Sequence, residues 1–365
     1  MIPISRPIIG VEEKRMVMKV LGSGCLVNGP MTEDLEEAFA KICRTKYAVA
    51  VNNGTAALHS ALHVIGICSG DEVITTPFSF VATANAIIMA GATPVFVDID
   101  ERSFNIDPVR IEKAITSKTK AILAVDLYGQ PADYDEINRI AKKHNLIVIE
   151  DAAQSLGASY NLNITGSLAD IACFSLYATK NITCGEGGMI TTNSKQYYER
   201  AKLFRNHGQT DKKRYEYVEL GYNYRLTEMQ AALVLAQLKR LDWILKKRKK
   251  YAQEYIAAFA QVRGIRTSFI GPKISHAFHQ FTIRVTKDFP MTRDELQKHL
   301  LSKGIQSMVY YPKSLYDVHH LQSGKVDRND FLVVECMVKE VLSIPVHPML
   351  LRKELEYIIH TIKTL

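Results

Sequence analysis

Three groups of residues in this sequence carry side chains that could hold a ligand and act on it chemically. Asn53-Gly54-Thr55 combines a glycine, which lets the backbone approach a ligand closely, with an adjacent hydroxyl. Glu150-Asp151 places two carboxylates at the end of a hydrophobic run, and Lys180 ends the segment that begins at Ser175. An anion-binding turn, a carboxylate and an amine together could support chemistry at a carbonyl carbon.

The Asn53-Gly54-Thr55 group lies between the apolar run YAVAV and a segment whose apolar residues have helical spacing. The start of a helix presents unpaired N–H groups and the positive end of the helix dipole, so this turn could bind a phosphate. A strand-to-helix turn with an asparagine cap and no ligand explains the same residues equally well.

Asp151 follows the run LIVIE, which would deliver its carboxylate to the edge of a sheet. Burial of a carboxylate is costly without a cationic partner. The pyridinium nitrogen of pyridoxal 5'-phosphate (PLP) is such a partner, because an ionised aspartate keeps it protonated. Judged alone, an acid at this position is more often a helix cap.

Lys180 lies among apolar and small residues and is followed by the glycine-rich stretch Gly185-Glu186-Gly187-Gly188. In such surroundings a lysine loses its charge more easily, and the neutral amine can attack a carbonyl to form a Schiff base. An isolated lysine is otherwise usually a solvent-exposed charge.

The elements that must position these groups are predicted by hydrophobic runs between Tyr47 and about Asn193. Because the runs are apolar on both faces and alternate with helical segments, they predict a mainly parallel sheet covered by helices on both sides. Ligands of such sheets bind where the strands end at their carboxyl side, and all three groups follow a run. The fold class is therefore α/β, a three-layer α/β/α large domain around a seven-stranded sheet. The runs are YAVAV, EVITTP, TPVFVDI, AILAVDLY, LIVIEDA, IACFSLY and GMITTN.

The length of 365 residues favours two domains. We predict an amino-terminal arm and large domain at 1–245 and a smaller α+β domain at 246–365. Thr32-Glu33-Asp34 is predicted to open a helix in the arm. A proline-free helical pattern running from Leu226 to near Gly264 is interpreted as one long helix that links the domains.

The carboxyl-terminal part mixes predicted strands and helices. It contains the run HQFTIRV as a strand and a helix opened by the capping box Thr292-x-x-Glu295. These are followed by the run IQSMVYY as a second strand and by a terminal helix.

Composition excludes several classes of protein. Apolar residues make up 47% and charged residues 23%, which is typical of a globular protein rather than a disordered one. The chain has neither a basic start followed by a long apolar run nor an apolar stretch of roughly 18 residues, so we expect a cytoplasmic protein without a membrane partner. The six cysteines form no C-x-x-C pair, which predicts neither a metal site nor a disulfide framework.

The formal net charge is +8. The densest basic run, 246–250, has no interleaved aromatic residues, and we interpret it as a solvated helix face rather than a nucleic-acid site. The surplus positive charge equally suits an anionic substrate that carries phosphates.

The three groups in this order resemble the DegT/DnrJ/EryC1/StrS sugar aminotransferases, which are PLP enzymes of fold type I. The resemblance runs nearly from end to end and its motifs are together highly specific. The resembling segments are NNGTAALHSAL, GDEVITTPFSFVATANAI, GATPVFVDID, FNIDP, TKAILAVDLYGQPADYDEI, VIEDAAQSLGA, FSLYATKN, GEGGMITTN, RNHGQ and GYNYRLTEMQAAL.

The resemblance implies roles for individual residues. Lys180 would hold PLP as a Schiff base, and Asp151 would face the ring nitrogen. The predicted phosphate contacts include one that reaches across from the neighbouring subunit, Asn223, so the resemblance implies a homodimer with shared active sites. The further cofactor contacts implied are Gly54, Thr55 and Ser175 at the phosphate, Phe80 stacked on the ring and Gln154 beside it.

The resemblance also implies the substrates. L-glutamate would donate the amino group and leave as 2-oxoglutarate, and PLP would cycle through pyridoxamine 5'-phosphate. A nucleotide-linked keto-deoxysugar, with the keto group at carbon four as in most of the family, would accept the group and become an amino sugar. Lys180 would move the proton between cofactor and substrate carbons. The predicted substrate contacts are Glu186, Tyr310, Tyr311, Lys313 and Tyr316.

Other interpretations of these residues stay open. The tyrosines could be ordinary strand residues, and Tyr316 stands where the family often has a histidine. His207 is interpreted as a structural loop residue rather than a general base.

Two other functions compete with amine transfer. A PLP-dependent sugar dehydratase shares the scaffold but has a histidine at the lysine position, so Lys180 argues against it. A DNA-binding or sensory role would suit the basic charge and the family's historical association with regulation. The sequence shows no recognition helix to support that role.

Overall fold

The computed structural model describes residues 1–210, 215–321 and 327–365. The strands are β1 (Tyr47–Val51), β2 (Glu72–Thr75), β3 (Thr93–Phe96), β4 (Thr119–Val125), β5 (Ile147–Asp151), β6 (Ser159–Tyr160), β7 (Asn163–Ile164), β8 (Ile171–Ser175), β9 (Gly188–Thr192), β10 (Ile265–Thr267), β11 (Ile274–Ser275), β12 (Phe281–Val285) and β13 (Val341–Ile344).

The helices alternate with these strands over the first two thirds of the chain. They are α1 (Val11–Ser23), α2 (Pro30–Cys43), α3 (Gly54–Val64), α4 (Ala82–Met89), α5 (Pro108–Ala114), α6 (Tyr134–His144), α7 (Lys195–Arg205), α8 (Glu228–Leu238), α9 (Leu241–Phe259), α10 (Arg293–Ser302), α11 (Leu332–Glu340) and α12 (Arg352–Lys363). Short 3-10 helices cover Leu127–Gly129, Leu315–Asp317, His319–Leu321 and Arg328–Phe331.

A seven-stranded sheet in the order β1-β9-β8-β5-β4-β2-β3 forms the centre of the molecule. Its strands are parallel except for β9, which pairs antiparallel with both β1 and β8. Each run predicted as a strand of the large domain forms one of these strands, and the predicted α/β fold class is confirmed. The register pairs Val125 with Asp151 and Asp151 with Cys173, so β4, β5 and β8 approach the same edge of the sheet together.

Helices cover both faces of this sheet because alternate strand residues point to opposite sides. Along β1, Val49 packs in one apolar cluster with Leu62 of α3. The next residue, Ala50, packs in a second cluster with Phe39 of α2 and Val234 of α8. The sheet edge that receives the three functional groups is therefore held between two fully packed layers.

The long helix predicted from Leu226 is wrong as a single element. The structure has two helices, α8 and α9, and Arg240 between them has non-helical backbone angles (φ −112°, ψ 7°). The Arg240 guanidinium forms an ion pair with Glu13, a fully buried carboxylate of α1. The break therefore coincides with a tertiary contact, which the helical periodicity of the sequence does not reveal.

The carboxyl-terminal part builds an apolar cluster of its own. The small sheet β10-β12-β13 packs there with the second half of α9, including Tyr255 and Phe259, and with Leu355 and Ile358 of α12. The predicted boundary between residues 245 and 246 falls inside α9, and the two-domain division stays a prediction. A further small sheet, β11-β6-β7, joins a segment after residue 270 to the turn that follows β5.

Local predictions in this part had mixed outcomes. HQFTIRV forms β12, and the capping box of α10 is present, since Glu295 N–H donates to Thr292 Oγ1 at 3.3 Å. IQSMVYY was wrongly predicted as a strand. It makes only isolated bridges, of which Met308 with Ser343 is the last, and the chain then leaves the sheet.

The predicted helix at Thr32 begins at Pro30, preceded by Gly29. Among the helices of residues 1–210, 215–321 and 327–365, none is long and apolar enough to cross a membrane.

Candidate active site

A cavity of ≈ 940 Å³ opens at the carboxyl edge of the central sheet. All three groups singled out in the sequence contribute to its wall, although they are spread along the chain from Asn53 to Lys180. The predicted site residues that line it are Gly54, Thr55, Phe80, Asp151, Gln154, Ser175, Lys180, Glu186, Tyr310 and Tyr311.

The turn after β1 forms the start of α3. Asn53 caps the helix, because its Oδ1 accepts a hydrogen bond from Ala56 N–H at 2.8 Å. A Cβ atom at Gly54 would come within 3.0 Å of the Ser175 Cβ, so a glycine keeps the helix start close to that serine. The free N–H groups of the first helical turn, the Thr55 hydroxyl and the Ser175 hydroxyl therefore belong to one region of the wall, which suits a phosphate.

Asp151 ends β5 and is only 4% exposed. Its Oδ2 accepts a hydrogen bond from Thr83 Oγ1 at 2.9 Å, and its Oδ1 accepts one from Ala153 N–H at 3.2 Å. Burial raises the pKa of Asp151, while these hydrogen bonds and, less strongly, the Lys180 ammonium lower it. A cation facing this carboxylate inside the cavity would relieve the cost of its burial.

Lys180 lies in the same cavity as Asp151. Burial lowers the pKa of its amine to about 8, against a smaller opposing effect of the Asp151 charge. About one tenth of the amine is therefore neutral at pH 7, far more than for a lysine in water. The backbone around it is fixed by the hydrogen bond from Lys180 N–H to Tyr177 O at 2.9 Å. This amine is suited to attack a carbonyl carbon.

Gln154 and Tyr311 form a connected polar wall. Gln154 Oε1 accepts a hydrogen bond from Tyr128 N–H at 2.8 Å, and its Nε2 donates to the Tyr311 hydroxyl at 3.3 Å. The Tyr128 hydroxyl in turn donates to Tyr310 O. Phe80 is 57% exposed, and its ring centroid lies 6.3 Å from that of Tyr311. The exposed face of Phe80 is available to a flat ring in the cavity.

Comparison with known proteins decides among the families that could build such a site. The profile of the DegT/DnrJ/EryC1/StrS aminotransferase family matches residues 7–363. The chain belongs to this family. It is a PLP-dependent aminotransferase.

The relatives cover nearly the whole aminotransferase. It is 42% identical over 356 residues to a pleiotropic regulatory protein of Geobacillus stearothermophilus, covering 96% of this chain and 93% of that protein. It is 38% identical over 362 residues to GDP-perosamine synthase of Caulobacter vibrioides, covering 98% and 96%. Among solved structures, the PLP form of Spr1654 from Streptococcus pneumoniae is similar with a TM-score of 0.93 at 31% identity, covering 100% of this chain and 98% of that one.

The residues of the cavity fit PLP. The helix start at Gly54 with Ser175 matches a phosphate ester, and the buried carboxylate of Asp151 matches a protonated ring nitrogen. Lys180 supplies the amine for the aldehyde, and Phe80 supplies an exposed aromatic face. The cofactor assignments made from the sequence remain proposals for each residue, and the geometry is compatible with all of those that line the cavity.

Some residues predicted from the sequence do not line this cavity. Lys313 is exposed and lies outside it. Tyr316 is 3% exposed, its hydroxyl donates to Glu335 Oε1 at 2.7 Å, and its ring packs against Phe331. Its polar group is thus satisfied inside the protein, and we do not carry it forward as a substrate contact.

Asn223 and His207 also lie away from the cavity of their own aminotransferase chain. Both side chains are exposed, and Asn223 pairs with Asn206 in an isolated backbone bridge. A contact of Asn223 with the cofactor of a second subunit is compatible with this exposed position and stays a proposal.

Sequence reasoning missed four residues of the site. Thr83 lies within the quoted segment around Phe80 but was not assigned its bond to Asp151. Tyr128 has a positive φ of 60°, which no residue-type pattern predicts for a tyrosine. His279 and Gln280 were treated only as the start of a strand, yet both line the cavity.

The basic run at 246–250 is also only partly a solvated face. Lys246, Lys249 and Lys250 are exposed, but Arg248 is 4% exposed. The interpretation as a solvated face was wrong for this arginine, because its place on α9 turns it toward the interior next to His279.

Proposed function

We propose that this aminotransferase moves an amino group from L-glutamate to the keto carbon of a nucleotide-linked keto-deoxysugar, with the keto group at carbon four. The observation that carries the proposal is the joint presence of Lys180 and the buried Asp151 in one large cavity at the sheet edge. The similarity to GDP-perosamine synthase supports a nucleotide-linked sugar as the acceptor.

PLP, when bound, supplies an aldehyde that takes up the amino group and a ring that withdraws electrons from the carbon losing its proton. The buried carboxylate of Asp151, which Thr83 and Ala153 N–H keep in one orientation, would keep the ring nitrogen protonated. Lys180 would hold the cofactor through Nζ between turnovers. As a free amine, Lys180 Nζ would remove a proton from one carbon and return it to the other, and a pKa of about 8 suits both directions near neutral pH.

The cavity volume supports a large acceptor. Pockets for small molecules usually measure roughly 300–1,000 Å³, and this cavity of ≈ 940 Å³ lies near the upper limit of that range. A cofactor that is anchored at Gly54 and Asp151 would leave the side near Glu186, Tyr310 and Tyr311 for the substrate. Burial raises the pKa of both tyrosine hydroxyls, so these remain protonated and can donate to sugar oxygens.

We further propose that the active enzyme is a homodimer in which Asn223 reaches the partner's cofactor phosphate. The support is a group of large apolar and aromatic side chains that are exposed near Asn223 in the single chain. They are Tyr215, Tyr217, Val218, Leu220 and Tyr222, with exposures of 67%, 58%, 58%, 70% and 38%. Size-exclusion chromatography with light scattering measures the mass, and a monomer with full activity would contradict the proposal.

Spectroscopy with a substrate panel tests the proposed reaction. The PLP-loaded enzyme is first converted with L-glutamate, and the loss of its visible absorbance is recorded. GDP-, UDP- and dTDP-linked sugars with the keto group at carbon three or carbon four are then added separately. We expect a carbon-four substrate to restore the absorbance and to yield an amino sugar by mass spectrometry. Restoration only by carbon-three sugars would refute the position, and restoration by none would refute the acceptor class.

A regulatory role is the one alternative with an observation of its own, since the relative of Geobacillus stearothermophilus carries the name of a regulatory protein. A gel-shift series over increasing salt separates the two functions. Sequence-specific binding that survives physiological salt would favour the regulator, because nonspecific phosphate contacts weaken steeply with salt.

A further inference from the structure

His279 is a buried side chain of the cavity that the mechanism above does not use. It precedes β12, is 6% exposed, and shares the cavity wall with Lys180. Its Nδ1 is buried and has no hydrogen-bond partner among the residues that the structure describes. Because the ring borders the cavity while Nδ1 is shielded, we take the Nε2 edge as the side that faces a ligand.

Backbone contacts hold His279 in this position. Ala277 N–H donates to Gly129 O at 2.9 Å, and Gln280 N–H donates to Tyr128 O at 3.2 Å. Gly129 has a φ of +103°, and a Cβ at this position would come within 2.9 Å of His279 N. The glycine thus permits the close approach of the two segments. Tyr128 also holds Gln154, so the same turn fixes both sides of the wall.

A buried cation lies behind His279. Arg248 Nη1 donates to Phe278 O at 3.1 Å and to His279 O at 3.0 Å. Arg248 is 4% exposed, and in the parts of the chain that the structure covers no aspartate or glutamate forms an ion pair with it. Burial lowers the pKa of Arg248 to about 9, so the guanidinium is still charged at neutral pH. A buried charge without a carboxylate partner leaves a positive potential at this side of the cavity.

The surroundings determine the protonation state of His279. Burial lowers its pKa well below the usual value, and the neighbouring Lys180, Arg248 and His276 act in the same direction. A neutral imidazole carries one N–H and one lone pair. Among the described residues Nδ1 has no acceptor for a proton, and the positive charge of Arg248 acts on the ring, so we infer that the lone pair is on Nδ1 and the proton on Nε2, the nitrogen taken to face the cavity. His279 is therefore a neutral hydrogen-bond donor that does not itself become a cation.

We propose that His279, backed by Arg248, binds the α-carboxylate of the amino donor. This inference rests on the proposed function and concerns how the enzyme tells its two substrates apart. The carbon that exchanges its proton with Lys180 must lie near Nζ in both half-reactions. An α-amino acid carries a carboxylate on that carbon, whereas the keto carbon of a sugar carries none. A hydrogen-bond donor and a positive potential beside Lys180 therefore favour binding of the amino acid.

Kinetics of the separate half-reactions test the assignment. His279→Phe removes the donor, and His279→Gln keeps an N–H at similar reach. A hydrogen bond to a charged group contributes roughly 1.5–3 kcal/mol, so we expect His279→Phe to weaken L-glutamate binding by about 10- to 100-fold. The affinity for the keto sugar should change by less than about threefold on the same reasoning, and His279→Gln should restore most of the glutamate affinity. Equal losses for both substrates, or no loss for glutamate, would overturn the proposal.

Nitrogen NMR provides a readout independent of turnover. In protein labelled with ¹⁵N-histidine, we expect His279 to be neutral with its proton on Nε2 from pH 6 to 9, and its Nε2–H signal to shift on addition of glutarate. A cationic ring, a proton on Nδ1, or no response to glutarate would contradict the assignment. His347→Gln is the matched control, because His347 is also buried near Arg248 with an unpartnered Nδ1 but does not line the cavity.

A second variant protects the test against misfolding. Arg248→Met removes the charge behind the ring and should give the same glutamate-specific loss, together with a larger fraction of the Nδ1–H form. If the wild-type enzyme forms no 2-oxoglutarate from L-glutamate, the proposed function fails. If the wild type reacts but neither variant weakens L-glutamate binding more than keto-sugar binding, only the proposed role of His279 fails.

Discussion

The active-site lysine should reduce the stability of the cofactor-free protein. Burial lowers the pKa of Lys180 from 10.5 to about 8, which means that the folded state disfavours the ammonium form. The change in pKa from 10.5 to about 8 corresponds to at most about 3.4 kcal/mol, since a tenfold change in an equilibrium is 1.36 kcal/mol. The attraction of Asp151 is already contained in this net shift, so Lys180→Met should stabilise the cofactor-free protein by up to that amount at pH 7.

The pH dependence follows from the sign of the shift. Below pH 8 the Lys180 amine is protonated in both the folded and the unfolded chain, so the folded state carries the full free-energy cost of burying the ammonium group. Between about pH 8 and 10.5 the unfolded chain binds the proton and the folded chain does not, so stability rises with pH and the cost disappears. The advantage of Lys180→Met over the wild type should therefore be largest at pH 7 and small near pH 10.

Pulse proteolysis in urea measures this difference without requiring fully reversible unfolding by heat. Wild type and Lys180→Met are compared at pH 7, 8, 9 and 10, both freed of cofactor. Lys313→Met is the control, because Lys313 is an exposed lysine outside the cavity. An equal or lower stability of Lys180→Met at pH 7, or an advantage that does not shrink with pH, would show that the amine is solvated.

Three further changes probe the cofactor site. Lys180→Ala should lose both covalent attachment of PLP and turnover, seen as no added mass after borohydride reduction, and near-normal turnover would refute the assignment. Asp151→Asn should keep PLP bound but lower the rate of the glutamate half-reaction by about 100-fold or more, because an interaction that contributes roughly 3 kcal/mol is lost. An unchanged rate in stopped flow would disprove the contact of Asp151 with the ring nitrogen. In Gly54→Ala the new Cβ would lie 3.0 Å from the Ser175 Cβ, so the affinity for PLP, measured by equilibrium dialysis, should fall at least about tenfold. Gly22→Ala is the control and should not change this affinity, because the space around Gly22 is open.

The central sheet and the residues that its strands bring to the cavity could be predicted because the signals for them are local. Each strand of the sheet is a continuous apolar run, and the chemistry-bearing residues such as Asp151 and Lys180 come directly after a run. The rule that parallel strands present their carboxyl ends at one edge then brings these residues together. The segments that resemble the family include these same strands and the residues after them.

The errors arise where a distant contact decides the local structure. Arg240 interrupts an apparently continuous helix where its side chain pairs with Glu13, more than 200 residues earlier. The run after Ile305 has the composition of a strand but makes only isolated bridges and leads Tyr310 and Tyr311 to the cavity. His279 was missed because an apolar strand pattern gives no indication of which residue at its start borders a site.

Most of the cavity wall comes from two separate parts of the chain, with Glu186 and Tyr224 lying between them. The residues that fit the cofactor, from Gly54 to Lys180, all come from the first half, whereas His279, Gln280, Tyr310 and Tyr311 come from the last third. Among relatives, the two parts of the wall can therefore change in sequence independently of each other. An exchange of the carboxyl-terminal segment between relatives would replace His279, Gln280, Tyr310 and Tyr311 of the wall while Asp151 and Lys180 stay in place.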